Sequence, residues 1–362
     1  MDFAFSDEQD MLRTSAREFM RQQYPAERVA QIADGEGFPR DEWRRVVEMG
    51  WVGVSLPEEL GGGGLSFVEE AVLAEELGRG LYPGPWFSAS ILGLGALAQP
   101  GPGGPIADIL SGDRIPTVAW AGEDGRFDLD PGPKVGWDPG EGSLTATKLF
   151  VPDLSTADLI VVLGAVPDGV GLWSVDREAN GVSWRELESV DGTRRMGEVV
   201  LEGAVVAETY QGPADSLSGL RDRALTALAA EAVGVGSAAL DMAVAYVKER
   251  RQFGKPIGVF QAVSHQLAQA FLELETARSL AYWAAWAVSE HAPEATPAAA
   301  AAKSRAAETA VAACERAIQV HGGIGFTWEH PLHRWYKRAL GASAYLGWGP
   351  EHRARVAAHL LD

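Results

Sequence analysis

Along the chain the apolar positions change period twice. Behind Asp7-Glu8-Gln9, the residues Met11, Leu12, Ala16, Phe19 and Met20 recur at three- and four-residue spacing, which predicts an amphipathic helix. Glu42, Trp43, Val46, Val47 and Met49-Gly50 predict a second helix that stops at glycine. Residues 67–77 predict a third, with Glu69, Glu70, Glu75 and Glu76 interleaved. The run Gly61-Gly62-Gly63-Gly64 between them reads as a loop; glycines there can cradle phosphate, but ahead of a helix they more often make a turn. From about residue 115 shorter runs take over. Residues 144–151, 159–163 and 169–175 are β-rich and bounded by Asp, Gly and Pro, whereas residues 123–142 read as loop. From about residue 215 the helical period returns over 221–249, 259–291 and 297–320, long segments with short connections that fit an antiparallel bundle. The expected fold class is α+β, mostly α: an N-terminal helical domain (1–114), a middle antiparallel β domain (115–212) and a C-terminal helical bundle (213–362).

Charge and cysteine usage narrow the function classes. The net charge of −19 argues against a general affinity for nucleic acid or an anionic membrane, so a polyanionic ligand needs a local basic patch. The one cysteine, Cys314, excludes an internal disulfide framework and reads as a small buried helix residue. No basic segment precedes an apolar one at the N-terminus, and no apolar run is read as long enough to span a bilayer, which leaves a cytoplasmic protein as the expectation. His330, His333 and His352 have no partner set at metal-ligand spacing, so no metal is assigned.

Two segments carry the candidate chemistry. One is Arg250-Arg251-Gln252-Phe253-Gly254-Lys255-Pro256-Ile257, the other Gln319-Val320-His321-Gly322-Gly323-Ile324-Gly325-Phe326. An arginine near the end of a long helix can make charge-assisted bonds to pyrophosphate, an aromatic face can pack on a cofactor, and glycines let a backbone approach a ligand closely. Each segment alone also reads as a glycine helix cap. Together they resemble the flavin-dependent acyl-CoA dehydrogenase family, and the resemblance covers essentially the whole chain. It implies FAD as cofactor and an acyl-CoA as substrate. It also implies that Arg250, Phe253, Gln261, Gln319, Gly322 and Gly323 hold the pyrophosphate and adenine side of the FAD of a neighbouring subunit.

The same resemblance implies a carboxylate that removes the α-proton while the β-hydrogen passes as hydride to flavin N5. Here the chain departs from the family. The usual Glu falls at Leu346, and the alternative position on the long bundle helix is Ala224, followed by Leu225. The family's Thr-Glu-Pro-x-Ala-Gly-Ser-Asp segment corresponds to residues 118–125, which do not match it. In Lys148-Leu149-Phe150-Val151-Pro152-Asp153 the aromatic is kept, but Pro152 stands where a threonine would bond the flavin. The remaining catalytic candidate is Glu231, an isolated carboxylate in the apolar segment 228–234, with a buried structural pairing as the competing reading. Arg221 and Asp222 read as charges at a helix start.

Adenine-side residues are kept while ring-side and base residues are lost. A division of labour accounts for this: some relatives form heteromeric dehydrogenases, associated with bulky acyl-CoAs including steroid side chains. There one subunit supplies the ring site and base and the other the adenine-side Arg and Gln. The expected assembly is then an α2β2 heterotetramer with a second acyl-CoA dehydrogenase-like subunit, and an electron-transfer flavoprotein is a further partner the resemblance admits. A self-sufficient homo-oligomer with an atypical base and a flavin-free structural relative stand as alternatives.

Overall fold

The computed structural model describes residues 5–35, 37–98, 104–127, 133–167, 169–213 and 215–361. The chain opens with helices α1 (Asp7–Gln23), α2 (Ala26–Asp34), α3 (Trp43–Glu48) and α4 (Phe67–Arg79). A buried π-helical segment, Phe87–Leu94, runs into α5 (Gly95–Leu97), and α6 (Ile106–Leu110) follows. α1 starts where Ser6 and Gln9 form a capping box: the Ser6 hydroxyl accepts the Gln9 N–H at 3.2 Å and Gln9 Oε1 accepts the Ser6 N–H at 3.1 Å. Among the described residues eight strands come next: β1 (Pro116–Ala119), β2 (Gly136–Asp138), β3 (Ser143–Pro152), β4 (Leu159–Val166), β5 (Gly169–Asp176), β6 (Val182–Leu187), β7 (Met196–Val205) and β8 (Glu208–Gly212). The C-terminal part holds α7 (Ser218–Glu249), a small hairpin of β9 (Arg251–Gln252) and β10 (Lys255–Pro256), then α8 (Gln261–Ser289), α9 (Ala295–His321), α10 (Leu332–Ala344) and α11 (Gly349–Leu361). This is the expected mostly helical protein with a β domain in the middle.

The chain folds into two compact units. One takes Met1–Gln31, Val68–Tyr82 and Leu225–Asp362, the other Ile32–Phe67 and Pro83–Ala224. The helical N-terminal third therefore contributes to both.

In the second unit the strands form two four-stranded sheets, ordered β1-β4-β5-β8 and β2-β3-β7-β6. Their inner faces share a core that includes Leu144, Val151, Ile160, Val162, Trp173, Val199 and Leu201. All pairs are antiparallel except β1 and β4, which run parallel from Pro116↔Leu159 to Ala119↔Val162. The reason is connectivity: between them the chain crosses to the other sheet to build β2 and β3, and it re-enters from the same end. β2 falls inside the stretch expected to be loop. The glycine run 61–64 serves packing. A Cβ on Gly62 would lie 2.3 Å from the Leu56 carbonyl oxygen and one on Gly63 2.7 Å from that of Val54, so backbone crosses backbone where side chains have no room.

In the first unit α7 packs through its glycines. A Cβ on Gly234 would sit 1.9 Å from the main-chain oxygen of Glu75 on α4, and one on Gly78 of α4 would sit 2.4 Å from that of Glu231. Gly236 faces Ala310 of α9 and Leu274 of α8. Ser218–Glu249 corrects one expectation: by length and composition it is apolar enough to cross a membrane. Its apolar surface is taken up inside the protein, with 78% of its most apolar stretch buried. Two of the interleaved glutamates of α4, Glu75 and Glu76, are buried ion-pair partners. Glu76 receives Arg17 at 2.9 and 2.6 Å, while Glu75 receives Arg278 at 3.0 Å and the Tyr282 hydroxyl at 2.7 Å.

Candidate functional site

The cofactor-facing candidates gather at one end of the helical unit. α7 ends at Glu249, and Arg250 leads into the hairpin, where Gln252 pairs with Lys255 and Arg251 with Pro256. Phe253 and Gly254 form its two-residue turn with φ of 52° and 77°, the positive values a type I′ turn requires. Glycine takes such a φ freely, whereas a phenylalanine is strained there. The gain is exposure: the Phe253 ring is held 90% exposed, with no core role. Gln261 opens α8, and Arg250 and Gln261 are both exposed. α9 runs to His321 and stops because Gly322 takes φ 65°, ψ −139°, which a side chain would resist. Gln319, Gly322 and Gly323 are exposed too.

A stack of rings links these two chain segments. Tyr246, one turn before Arg250, lies on His321 with ring centroids 4.4 Å apart and planes at 26°. The arginine hairpin and the Gly-Gly loop are thereby anchored to one another within this unit.

The fit of this surface to a cofactor can be judged from its glycines. A Cβ on Gly322 or Gly323 would meet nothing within 4 Å, in contrast to Gly234 or Gly62. Gly323 also lacks a positive φ, so nothing in the chain requires a glycine there. An unfilled surface at a residue without Cβ, beside exposed Arg250, Phe253 and Gln319, fits a ligand that approaches the backbone closely.

The ring-side segment is different in kind. Pro152 is buried at the end of β3, and its carbonyl accepts the Thr117 hydroxyl at 2.5 Å. Asp153, with φ 51°, is buried and accepts the Ser88 hydroxyl at 2.6 Å. A break in the β3–β7 register between Lys148 and Val151 leaves Phe150 at φ 53°, beside Phe127 at 6.2 Å. The polar groups of this segment are thus spent within its own unit, and no hydroxyl stands at position 152. These residues do not fit a flavin ring.

Neither base position holds a carboxylate. Leu346 is fully buried in the turn after α10, at φ 57°, and Ala224 is fully buried in α7. The turn is held from below: Lys303 Nζ donates to the carbonyls of Ser343 at 3.4 Å and Gly347 at 3.3 Å, and His352 Nε2 lies 3.2 Å from the same Gly347 carbonyl. Burial pulls the His352 pKa down to about 4, so the ring is neutral and Nε2 donates.

Glu231 is 5% exposed on α7, with its Oε1 3.3 Å from Nε of Arg338 on α10. Arg338 also donates to the Tyr82 carbonyl at 2.8 Å. The carboxylate is engaged in a buried ion pair that ties two helices. We expect Glu231→Gln to lower the melting temperature, because it leaves a buried guanidinium uncompensated. Turnover of the assembled enzyme is expected to fall by less than roughly tenfold, against the ~10²–10⁴ of a lost general base. A larger drop with the fold intact would make Glu231 the base. Arg221 and Asp222 differ from their reading as helix-start charges: they are buried and paired with each other at 2.9 Å. Cys314 is buried in α9, and burial pushes its thiol pKa up, away from reactivity. No cluster able to hold a metal occurs among the described residues.

Comparison with known proteins identifies the family. Residues 6–101 match the family described as acyl-CoA dehydrogenase, N-terminal domain, and residues 222–361 the acyl-CoA dehydrogenase, C-terminal domain. The chain is similar to the acyl-CoA dehydrogenase IpdE2 of Mycolicibacterium smegmatis, 30% identical over 98% of this chain and 100% of that one. Among solved structures it resembles the Tcur3481-Tcur3483 steroid ACAD G363A variant, with TM-score 0.88 and 33% identity over 98% of both chains. It also resembles the ChsE4-ChsE5 complex from Mycobacterium tuberculosis, with TM-score 0.91 and 29% identity over 100% of this chain and 99% of that one. With its fold, its two motifs and a full-length match to a named member, the chain belongs to the acyl-CoA dehydrogenases, a family of oxidoreductases.

Proposed function

We propose that the chain is one subunit of a heteromeric, FAD-dependent acyl-CoA dehydrogenase acting on a bulky, steroid-like acyl-CoA. It supplies the pyrophosphate and adenine side of the cofactor site to a partner subunit that supplies the ring site and the base. The observation that carries this reading is the split in the residues. Arg250, Phe253, Gln261, Gln319, Gly322 and Gly323 are all exposed, while the segment at Pro152 is closed by its own chain. Two solved relatives bear paired names, and one is called a steroid ACAD, which supports both the pairing and the substrate class.

The bound flavin would accept the substrate's β-hydrogen as hydride. The residues of this chain bind and orient. Arg250 presents a planar, permanently charged fork for pyrophosphate oxygens, and Lys248, Arg251 and Lys255 around it make a local basic patch in a chain of net charge −19. Phe253 offers a face to the cofactor, and the amides of Gln261 and Gln319 offer both donor and acceptor. The α-proton is taken by the partner's carboxylate, since Leu346 and Ala224 are apolar. An electron-transfer flavoprotein is the expected electron acceptor.

The reading is tested by expressing the chain alone and together with an acyl-CoA dehydrogenase-like subunit that keeps its base. Flavin retained only by the pair is the expected result; a yellow protein from the chain alone would point to the self-sufficient homo-oligomer instead. In the pair, Arg250→Ala should weaken FAD retention on the order of tenfold or more, the loss of one charge-assisted contact. Arg250→Lys should lose part of it, because a point charge does not reproduce the fork. Leu346→Glu in the chain alone should give no fast dehydrogenase, since Pro152 still offers no hydroxyl. Robust turnover by that single variant would show a working ring site and sink the division of labour.

A further inference from the structure

His330 is not among the cofactor-facing residues. It stands in the turn between Gly322–Phe326 and α10, and its ring packs on His321 with centroids 4.5 Å apart and planes at 53°. Tyr246, His321 and His330 thus make a continuous stack joining the end of α7, the end of α9 and the start of α10. Each imidazole has one nitrogen committed to the main chain. His321 Nδ1 lies 2.7 Å from the Ala317 carbonyl, which only accepts, so that nitrogen carries a proton. His330 Nδ1 accepts the N–H of Leu332, the first residue of α10, at 3.3 Å. A nitrogen that accepts cannot carry a proton. The His330 side chain therefore caps α10 only while it is neutral, and its cationic form would lose the cap and face the positive end of the helix dipole.

We propose that His330, acting through the Tyr246–His321–His330 stack, is a positioning residue that holds the Gly-Gly loop against the Arg250 hairpin, and that it does so in its neutral form. The proposal rests on the reading of that surface as an FAD site, and it makes cofactor retention sensitive to mild acid. Burial and the neighbouring His321 both lower the His330 pKa below its ordinary 6.5. A depressed histidine pKa means that the folded form binds fewer protons than the unfolded one. The loop's order is then complete above about pH 6.5 and is lost as pH falls below it. The other charged groups on these elements are exposed or engaged. Lys248, Glu249, Arg250 and Glu329 face solvent, Arg316 pairs with Glu273 at 2.6 Å and Arg338 with Glu231 at 3.3 Å, Glu315 accepts from Tyr336, Arg334 and Lys337 lie over the Trp328 ring at 6.0 and 4.3 Å, and His333 packs edge-on against the same ring at 4.6 Å.

Amide exchange on the full chain, expressed as protection factors at pH 7.5 and 5.5, tests this without cofactor. Protection of residues 319–332 should fall roughly fivefold or more at the lower pH, the size of a lost helix cap, while the buried middle of α9 is unchanged. His330→Asn keeps an acceptor for the N–H two residues on and does not titrate, so it should stay at the pH 7.5 level throughout. His330→Phe keeps the ring and removes the acceptor, so it should be poorly protected at both values. Persistence of the pH response in His330→Asn, or full protection in His330→Phe, would overturn the proposal. In the FAD-loaded pair, cofactor release should quicken at pH 5.5 for the natural chain and stay flat for His330→Asn; equal acid sensitivity of the two would also overturn it. Should the pair hold no FAD at any pH, the cofactor reading fails, and the exchange data still decide whether the stack orders the loop.

Discussion

Gly234→Ala is expected to cost the protein roughly 3 kcal/mol or more, lowering its melting temperature by about 5–10 °C or preventing its accumulation. The added methyl would lie 1.9 Å from the main-chain oxygen of Glu75 and 2.8 Å from the main-chain nitrogen of Arg79. Both neighbours are backbone of α4, so no side chain can swing aside, and the two helices must move apart. They cannot do so freely, because a Cβ on Gly78 would likewise lie only 2.4 Å from the Glu231 main-chain oxygen, and Glu75 and Glu76 bind Arg278, Tyr282 and Arg17 in the same unit. Gly323→Ala is the matching control. Its methyl meets open space, so the melting temperature should stay within about 2 °C, while FAD retention in the assembled enzyme falls. Thermal melts of the two variants separate a glycine kept for helix packing from one kept for a ligand. Equal destabilisation by both would remove the case for a close-approach surface at Gly322-Gly323.

The long periods are the legible part of the fold. Apolar spacing marks α1, α4, α7, α8 and α9, and β-rich runs mark β3, β4 and β5, because each element hides one continuous face and its composition reports that. What spacing does not report is pairing. The glutamates of α4 are simply interleaved charges in the sequence, and the structure brings Arg17 to Glu76 and Arg278 to Glu75 from elsewhere in the chain. Arg221 and Asp222 mislead in the same way, since a buried ion pair and an exposed cap have the same local signature. The apolar length of α7 is easily understated because glycines and alanines dilute its hydropathy, yet these small residues let three helices pack closely around it. Buried throughout, the π-helical Phe87–Leu94 has no periodic signal to announce it, whereas α10 does carry an amphipathic period.

The candidate site divides along the same line. Arg250, Phe253, Gln319 and Gly322-Gly323 are legible as candidates through the resemblance of their two segments to those of the family. The loss at Leu346 and Pro152 is legible because an apolar residue or a proline cannot do what the chemistry asks. Glu231 is ambiguous in sequence: an isolated carboxylate in an apolar helix is either a base or half of an ion pair, and only the position of Arg338 describes its partner. His330 gives no signal, since its role is a bond to a main-chain N–H two residues away.

The stability of the protein should rise with pH between about 7 and 10, opposite to a protein dominated by surface ion pairs, and two lysines are the cause. Lys148 on β3 is fully buried and donates to the carbonyls of Trp120 at 3.2 Å and Leu163 on β4, which makes it a staple between the two sheets. Lys303 on α9 is 1% exposed and donates to the carbonyls of Ser343 and Gly347 under the Leu346 turn. Each amine has two acceptors among the described residues, which matches the two N–H bonds of the neutral form and leaves one N–H of the cation unmet. Desolvation accordingly pulls both down to about 7, from an ordinary value near 10.4 in the unfolded chain. Below pH 7 both forms of the protein are protonated, and the folded state bears the full cost of two buried charges. Between 7 and 10.4 the unfolded chain binds a proton at each site and the folded one does not, so stability climbs by up to about 1.4 kcal/mol per pH unit for each lysine. The total reaches on the order of 4 kcal/mol per site. Lys148→Met and Lys303→Met each remove one titration, so below about pH 8.5 each variant should lose about half of the slope; above that the raised Cys314 thiol works the other way and flattens the rise. The variants should also lose stability at pH 9, where the neutral amine's two hydrogen bonds are missing and the carbonyls are left unpaired. Denaturant titrations at half-unit steps from pH 6.5 to 9.5 measure both effects. A natural chain whose unfolding free energy is flat or falling over that range would mean that the two amines stay charged in the fold.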